Sequence, residues 1–213
     1  MIQQSEEWFS ARLGKVTASR VVDVIAKTKS GFSASRANYM SELIVERLTG
    51  VKAEGFTNGA MQWGTEKEPE ARMAYSFRAD VDVSEIGFVD HPTIPMSGAS
   101  PDGVISADGL IEIKCPATAT HVETILGGSV PAKYITQMQW QLSCTGRQWC
   151  DFASYDPRLP ESMRLFVKRV QRDDALIADL EKQVSAFLEE LDAKLCALRS
   201  AYDLPTQLKE SAA

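Results

Sequence analysis

The stretch from Ser97 to Pro116, Ser-Gly-Ala-Ser-Pro-Asp-Gly-Val-Ile-Ser-Ala-Asp-Gly-Leu-Ile-Glu-Ile-Lys-Cys-Pro, constrains this chain more than any other. Two turns, at Asp102-Gly103 and Asp108-Gly109, bracket short apolar runs, which is the pattern of a β-hairpin. The second strand is predicted from Leu110 to Cys115 and stops at Pro116. Side chains alternate along a strand, so Ile111 and Ile113 face one way and Glu112 and Lys114 the other. A carboxylate and an ammonium therefore share one side of a strand too apolar for a simple surface strand. They follow an aspartate held in a Pro-Asp-Gly turn.

Asp102 and Glu112 are hard oxygen donors, which favour Mg²⁺ or Mn²⁺ over zinc. Magnesium keeps waters and accepts phosphate oxygens, so two carboxylates and a backbone carbonyl, for which Ile113 is suited, would suffice. Lys114 would orient an attacking water and offset charge building on a phosphate, which is the chemistry of metal-dependent phosphodiester hydrolysis. The same three residues also fit an ordinary cross-face ion pair, because short motifs recur by chance.

The setting decides between these readings. Ser100-Pro-Asp-Gly103 followed by Leu110-Ile-Glu-Ile-Lys-Cys-Pro116 resembles the PD-(D/E)XK nucleases, and within them the phage lambda exonuclease family, also called YqaJ-like viral recombinases. The likeness continues at Trp8 to Ser19, at Trp63-Gly64 with Glu68, at Leu126-Gly127-Gly128, at Tyr134 to Gln139 and at Phe152 to Arg158, covering most of residues 8–170 in the family's order. The resemblance implies an α/β (α+β mixed) fold, with a central mixed sheet of about five strands flanked by helices in a restriction-endonuclease-like core. It implies a Mg²⁺-dependent 5′→3′ exonuclease on double-stranded DNA, with Mn²⁺ able to substitute and two ions per site. Mononucleotides would be released and a 3′ single strand left. Three copies would form a ring around the DNA and hand that strand to a single-strand annealing protein.

By the same resemblance Asp102, Glu112, Lys114, Glu68 and Gln137 are the catalytic group, with Asp102, Glu112 and the Ile113 carbonyl on the metal. Glu68 would support the metal through water. Arg12, Ser19, Ser100 and Gln137 would hold a 5′-phosphate, while Lys29, Met61 and Tyr134 would touch DNA, Met61 as a wedge between the strands. The residues alone leave plainer alternatives open. Arg12 could pair with Glu6 or Glu7, Glu68 with Lys114 or Arg72, and Met61 could be core.

The chain of 213 residues carries a net charge of −6, which looks wrong for a DNA-binding protein until its distribution is seen. Arg12, Lys15, Arg20, Lys27, Lys29 and Arg36 face only Asp23 near the start, whereas residues 173–192 are strongly acidic. An acidic body discourages random contact with nucleic acid while a basic arm supplies local phosphate contacts. No signal peptide or membrane-length apolar run is visible, and four scattered cysteines suit a reducing compartment. The expectation is a cytoplasmic phage or prophage protein in a bacterial host.

In order along the chain, residues 5–13 are predicted helical. Thr17 is the expected N-cap of a helix containing Val21, Val22 and Ile25, whose N-terminus would offer amides to an anion. Lys27 to Gly31 is expected to be a flexible basic loop and residues 50–58 a loop. Helices are predicted over 35–49, 59–78 and 131–145, with Pro69 kinking the second or delaying its start. Tyr134, Gln137, Met138 and Gln141 fall on one stripe of the third. Strands are expected at 81–89, within the 96–115 hairpin, at 149–155 and at 163–170. A long amphipathic helix should occupy about 173–199, with Leu176, Leu180, Val184, Phe187, Leu191, Leu195 and Leu198 on its seam. Residues 1–203 are read as a single nuclease domain with its core at about 59–170, and 204–213 as a disordered tail. His121 is read as surface. The rivals are an endonuclease of the same superfamily, for which no base-reading side chains stand out, and a non-catalytic DNA-end-binding module.

Overall fold

Short runs of β-branched and aromatic residues between residues 83 and 171 build the sheet that carries the carboxylates. The computed structural model describes residues 3–29, 31–53 and 59–202. In chain order the elements are α1 (Glu6–Arg12), β1 (Val16–Thr17), α2 (Val21–Ile25), β2 (Lys27–Thr28), β3 (Gly31–Phe32), α3 (Ala34–Thr49), α4 (Gly59–Ala79), β4 (Val83–Ser84), β5 (Val89–Asp90), β6 (Ser97–Ala99), β7 (Gly103–Ile105), β8 (Gly109–Lys114), α5 (Thr118–Gly127), α6 (Ala132–Thr145), β9 (Trp149–Tyr155), β10 (Leu165–Gln171) and α7 (Asp174–Ala201). The predicted tail at 204–213, and residues 54–58 of the predicted loop, lie outside the described residues.

The expected mixed sheet of five strands is present, in the order β10-β9-β8-β7-β4. β8 and β9 run parallel and the other neighbours antiparallel. A parallel pair needs a long crossover, and α5 and α6 supply it. One face of β8 sends Ile111 and Ile113 into a cluster with Ala71 and Tyr75 of α4. The other face meets α6, where Leu110 packs with Met138, Leu142 and Phe152. Glu112 emerges on this second face.

Several expectations are corrected. The single strand at 81–89 is two short ones in different sheets: β4 pairs with β7, while β5 joins a smaller sheet, β1-β6-β5. Gly98 of β6 explains the closeness of that second pairing, since a Cβ there would collide with the Phe88 ring and the Val89 carbonyl. The hairpin turn is Ser106 to Asp108, with Ser106 at φ 49°, because Gly109 is already paired with Ile105. Thr17, paired in parallel with Gly98, stands before a 3₁₀ turn at Ala18–Arg20 rather than directly before α2, and its side chain makes no capping hydrogen bond. The basic loop contains a two-stranded hairpin, β2–β3. α4 begins at Gly59 and carries Pro69 within it, so its start is not delayed. α5 was not anticipated, and it turns His121 inward, fully buried, with Nδ1 2.7 Å from Ser154 Oγ and Nε2 2.9 Å from the Met163 carbonyl.

α7 is capped by Asp173, whose carboxylate accepts the Ala175 and Leu176 N–H groups. Its seam of Leu180, Val184, Phe187 and Leu191 is buried against α2, α3 and α6. Phe187 stacks on Tyr39 with ring centroids 5.9 Å apart. Phe187→Ala is expected to cost about 3–5 kcal/mol, whereas Phe77→Ala, at a residue 92% exposed, should stay within about 0.5 kcal/mol. Urea unfolding of both variants checks this, and equal losses would contradict the packing described.

Candidate active site

The β7–β8 register brings the two carboxylates together. Gly103 lies opposite Ile111, so Asp102, one residue before the last pair, stands across from Glu112. The ladder ends there, and the Ile113 N–H donates instead to Asp102 Oδ2 at 2.6 Å. Asp102 thus occupies the place where a fourth pair of the β7–β8 ladder would have formed. Glu112 has no exposed surface at all. Its Oε1 accepts from Gln137 Nε2 at 2.6 Å and pairs with the Lys114 ammonium, two residues along on the same strand face. Its Oε2 accepts from Gln141 Nε2, also at 2.6 Å. Gln137 and Gln141 are one helical turn apart on α6, which is why both reach one carboxylate.

Burial raises the Asp102 carboxyl well above the usual aspartate range, and the adjacent Glu112 charge raises it further, against Lys114 and the Ile113 N–H. Burial also raises Glu68, with Arg72 and Lys114 opposing. Burial would lower Lys114, but Glu112 and Asp102 overcome it and hold the ammonium above its ordinary value. The charged lysine is therefore fixed beside the pair.

Glu68 is half-buried on α4, where Arg72 donates to it at 2.6 Å and bridges to Glu85 at 2.6 Å. Among the described residues no three His, Cys, Asp or Glu side chains converge as a ready-made metal cage. The donor set nonetheless fits a hard divalent cation: the buried Glu112 and the adjacent, partly buried Asp102 repel each other, and magnesium sites with only one or two carboxylates are completed by water and phosphate.

Arg12 and Ser19 line a cleft of about 450 Å³, together with Trp8, Tyr39, Lys52 and Met61. The Arg12 guanidinium stacks over Trp8 at 4.1 Å and donates to Ser100 Oγ at 2.9 Å, and Trp8 Nε1 donates to the same oxygen at 2.9 Å. Ser100 lies two residues before Asp102 in the chain, so the Trp8–Arg12 side of the cleft is anchored on the segment that leads into the carboxylate hairpin. Gln137 does not line the cleft, since its amide is used on Glu112. Tyr134 stacks on Phe152 with centroids 5.3 Å apart, and Lys114 Nζ lies 5.5 Å from the Tyr134 ring. Lys29 is exposed on the β2–β3 hairpin, outside the cleft, and Met61 is 55% exposed at its rim. Two residues were missed as members of the site. Gln141 was visible as the i+4 partner of Gln137 on a buried stripe. Trp8 carried no signal beyond its place in the matching N-terminal segment.

A mixed sheet with an Asp–Glu pair and a lysine at one hairpin defines the PD-(D/E)XK nuclease core. The chain belongs to the YqaJ-like viral recombinase family, the lambda exonuclease family, whose domain it matches over residues 7–148. An alkaline exonuclease from Laribacter hongkongensis, LHK-Exo, is 57% identical, with a TM-score of 0.88 over 94% of this chain and 100% of that one. It has also been solved in complex with dAMP. A phage related exonuclease from Haemophilus somnus 129PT shares the fold at 17% identity and a TM-score of 0.69, covering 86% of this chain and 96% of that one. The curated relative, Uncharacterized protein R354 of Acanthamoeba polyphaga mimivirus, is 27% identical over 179 residues, 78% of this chain. The chain spans 31% of that relative's length.

A carboxyl raised on folding holds its proton more tightly in the folded chain than in the unfolded one. Without divalent cation, stability is therefore expected to fall as pH rises from the ordinary carboxylate range through the raised Asp102 value. A cation, were it taken up by the pair, would displace that proton and offset the loss. Thermal unfolding with Mg²⁺ and with chelator across pH tests this: the Tm gain from Mg²⁺ should grow with pH, and a gain that is flat or shrinks would contradict it.

Proposed function

We propose that this chain is a divalent-cation-dependent 5′→3′ exonuclease on double-stranded DNA, using Mg²⁺ or Mn²⁺ with two ions per site. The observation that carries the reading is the link from the Arg12 cleft, through Ser100, to the Asp102–Glu112–Lys114 group. The name of the 57% identical neighbour, an alkaline exonuclease, and its complex with dAMP support it.

Arg12 and Ser19, with Ser100, receive the phosphate of a 5′ end, for which a fixed guanidinium and hydroxyls are suitable donors. Asp102, Glu112 and the Ile113 carbonyl hold the cation, with Glu68 behind them through water. A cation bound there supplies Lewis-acid polarisation of the scissile phosphate and lowers the pKa of water. Lys114 orients the attacking water and offsets charge on the phosphate, while Gln137 holds Glu112 without adding negative charge. Met61, Tyr134 and Lys29 contact the DNA, Met61 at the point where the strands part. We further propose that residues 1–203 act as one nuclease domain and assemble as a homotrimeric ring in the cytoplasm of a bacterial host. That ring would pass a 3′ single strand to a phage-type annealing protein.

The test uses linear duplex labelled separately at its 5′ and 3′ ends, with a closed circle as control, in Mg²⁺ or chelator. Release of the 5′ label as mononucleotide, only from linear DNA and only with metal, is expected. Cutting of the circle would make the protein an endonuclease, and binding of ends without release would make it a non-catalytic module. Asp102→Ala should abolish release and retain duplex binding. Arg12→Ala should reduce the preference for 5′-phosphate over 5′-hydroxyl ends roughly ten- to hundredfold, the worth of a charge-assisted hydrogen bond. An unchanged ratio would move the phosphate site elsewhere.

A further inference from the structure

Two buried glutamines two residues apart on α6 are used differently. Gln139 satisfies both ends of its amide: Nε2 donates to the Gln171 carbonyl at 2.7 Å and Oε1 accepts the Asp173 N–H at 2.9 Å. It stitches the junction of β10 and α7. Gln141 has no exposed surface, yet only its Nε2 is engaged, on Glu112 Oε2, and its Oε1 accepts no hydrogen bond. The surrounding interface of α6 with β8 and β9 is apolar, with Leu110, Met138, Leu142, Cys150 and Phe152. Packing alone favours an apolar residue in such a place, since a buried acceptor without a partner is unfavourable.

We propose that Gln141 is a positioning residue for Glu112, fixing which face of that carboxylate a cation meets. The proposal rests on the reading of Asp102 and Glu112 as a cation site. An ionised carboxylate has roughly four acceptor directions. Gln141 takes one on Oε2, while Gln137 and Lys114 take two on Oε1. The carboxylate is thereby locked in one orientation, with its remaining capacity on Oε2. The two amides achieve this as neutral donors. A lysine or arginine in place of Gln141 would lock Glu112 equally but would repel an incoming cation. Loss of such outer partners of metal-binding groups typically weakens metal binding about 10- to 100-fold.

The experiment is calorimetric titration of the full chain with Ca²⁺, a hard cation that binds without requiring turnover, for wild type, Glu112→Gln, Gln141→Met, Gln141→Asn and the Glu112→Gln/Gln141→Met double variant. Thermal unfolding of each variant confirms that it is folded. Gln141→Met removes the donor at similar volume, and Gln141→Asn keeps an amide too short to reach. Both are expected to bind Ca²⁺ roughly 10- to 100-fold more weakly. The double variant should be no weaker than Glu112→Gln alone, because Gln141 acts through Glu112. If Gln141→Met does not fold, the Gln141→Asn titration decides. A folded Gln141 variant with wild-type Ca²⁺ affinity, while Glu112→Gln is weakened, overturns the positioning role alone. Wild-type Ca²⁺ binding by Glu112→Gln overturns the cation site and this proposal with it.

Discussion

A carboxylate held fully out of water, Glu112, beside the partly buried Asp102 is the constraint on which the rest of this structure depends. The neighbouring Glu112 charge and the loss of hydration both work against an ionised Asp102, and a fully buried Glu112 needs hydrogen-bond donors in place of water. The fold answers with specific donors. Asp102 receives the Ile113 N–H, and Glu112 receives two amides and an ammonium. Lys114 neutralises one charge, and once Asp102 is ionised the other is in excess, which is the charge a cation would balance under the proposed function. A site of this kind lowers stability in return for binding, as functional sites commonly do.

The architecture follows from keeping those donors in place. β8 is buried on both faces, which fixes its register and hence which residues stand beside Asp102. The parallel β8–β9 pairing demands a crossover, and the second helix of that crossover, α6, is the one that presents Gln137 and Gln141. α6 is in turn pinned at its far end, where Ser143 Oγ donates to Glu181 of α7 at 2.6 Å and lies 2.9 Å from His91 Nε2. The long acidic helix α7 thus works mainly as a brace, with its apolar seam on α2, α3 and α6. The N-terminal segment is drawn onto the same frame by parallel pairing of Val16 and Thr17 with Ser97 and Gly98. That pairing carries Arg12 to Ser100.

Much of this was legible in the sequence because the signals were local. Period-two alternation exposed Glu112 and Lys114 as face partners, and helical spacing put Gln137 and Gln141 on one stripe. Strands β7 to β10 of the main sheet and the approximate bounds of α3, α6 and α7 were readable from apolar periodicity. What failed was set by tertiary pairing. Thr17 had good capping chemistry, but strand pairing with Gly98 and an intervening 3₁₀ turn separate it from α2. Val81 to Val89 read as one strand, but its two ends pair with different partners. His121 looked like a surface residue because nothing in its own segment revealed that α5 would press it against β9. The use of Gln137 on Glu112, and the convergence of Trp8 and Arg12 on Ser100, depend on contacts between residues far apart in sequence, which spacing alone does not encode.

The central claim is that Asp102 and Glu112 form the cation site. Crystals grown with Mn²⁺ and measured at an energy where manganese scatters anomalously test it most directly. The strongest anomalous peak is expected at the Asp102–Glu112 pair and should be lost in Asp102→Ala. Manganese bound elsewhere, or nowhere, in crystals of a protein that still degrades duplex ends in the same solution would contradict it.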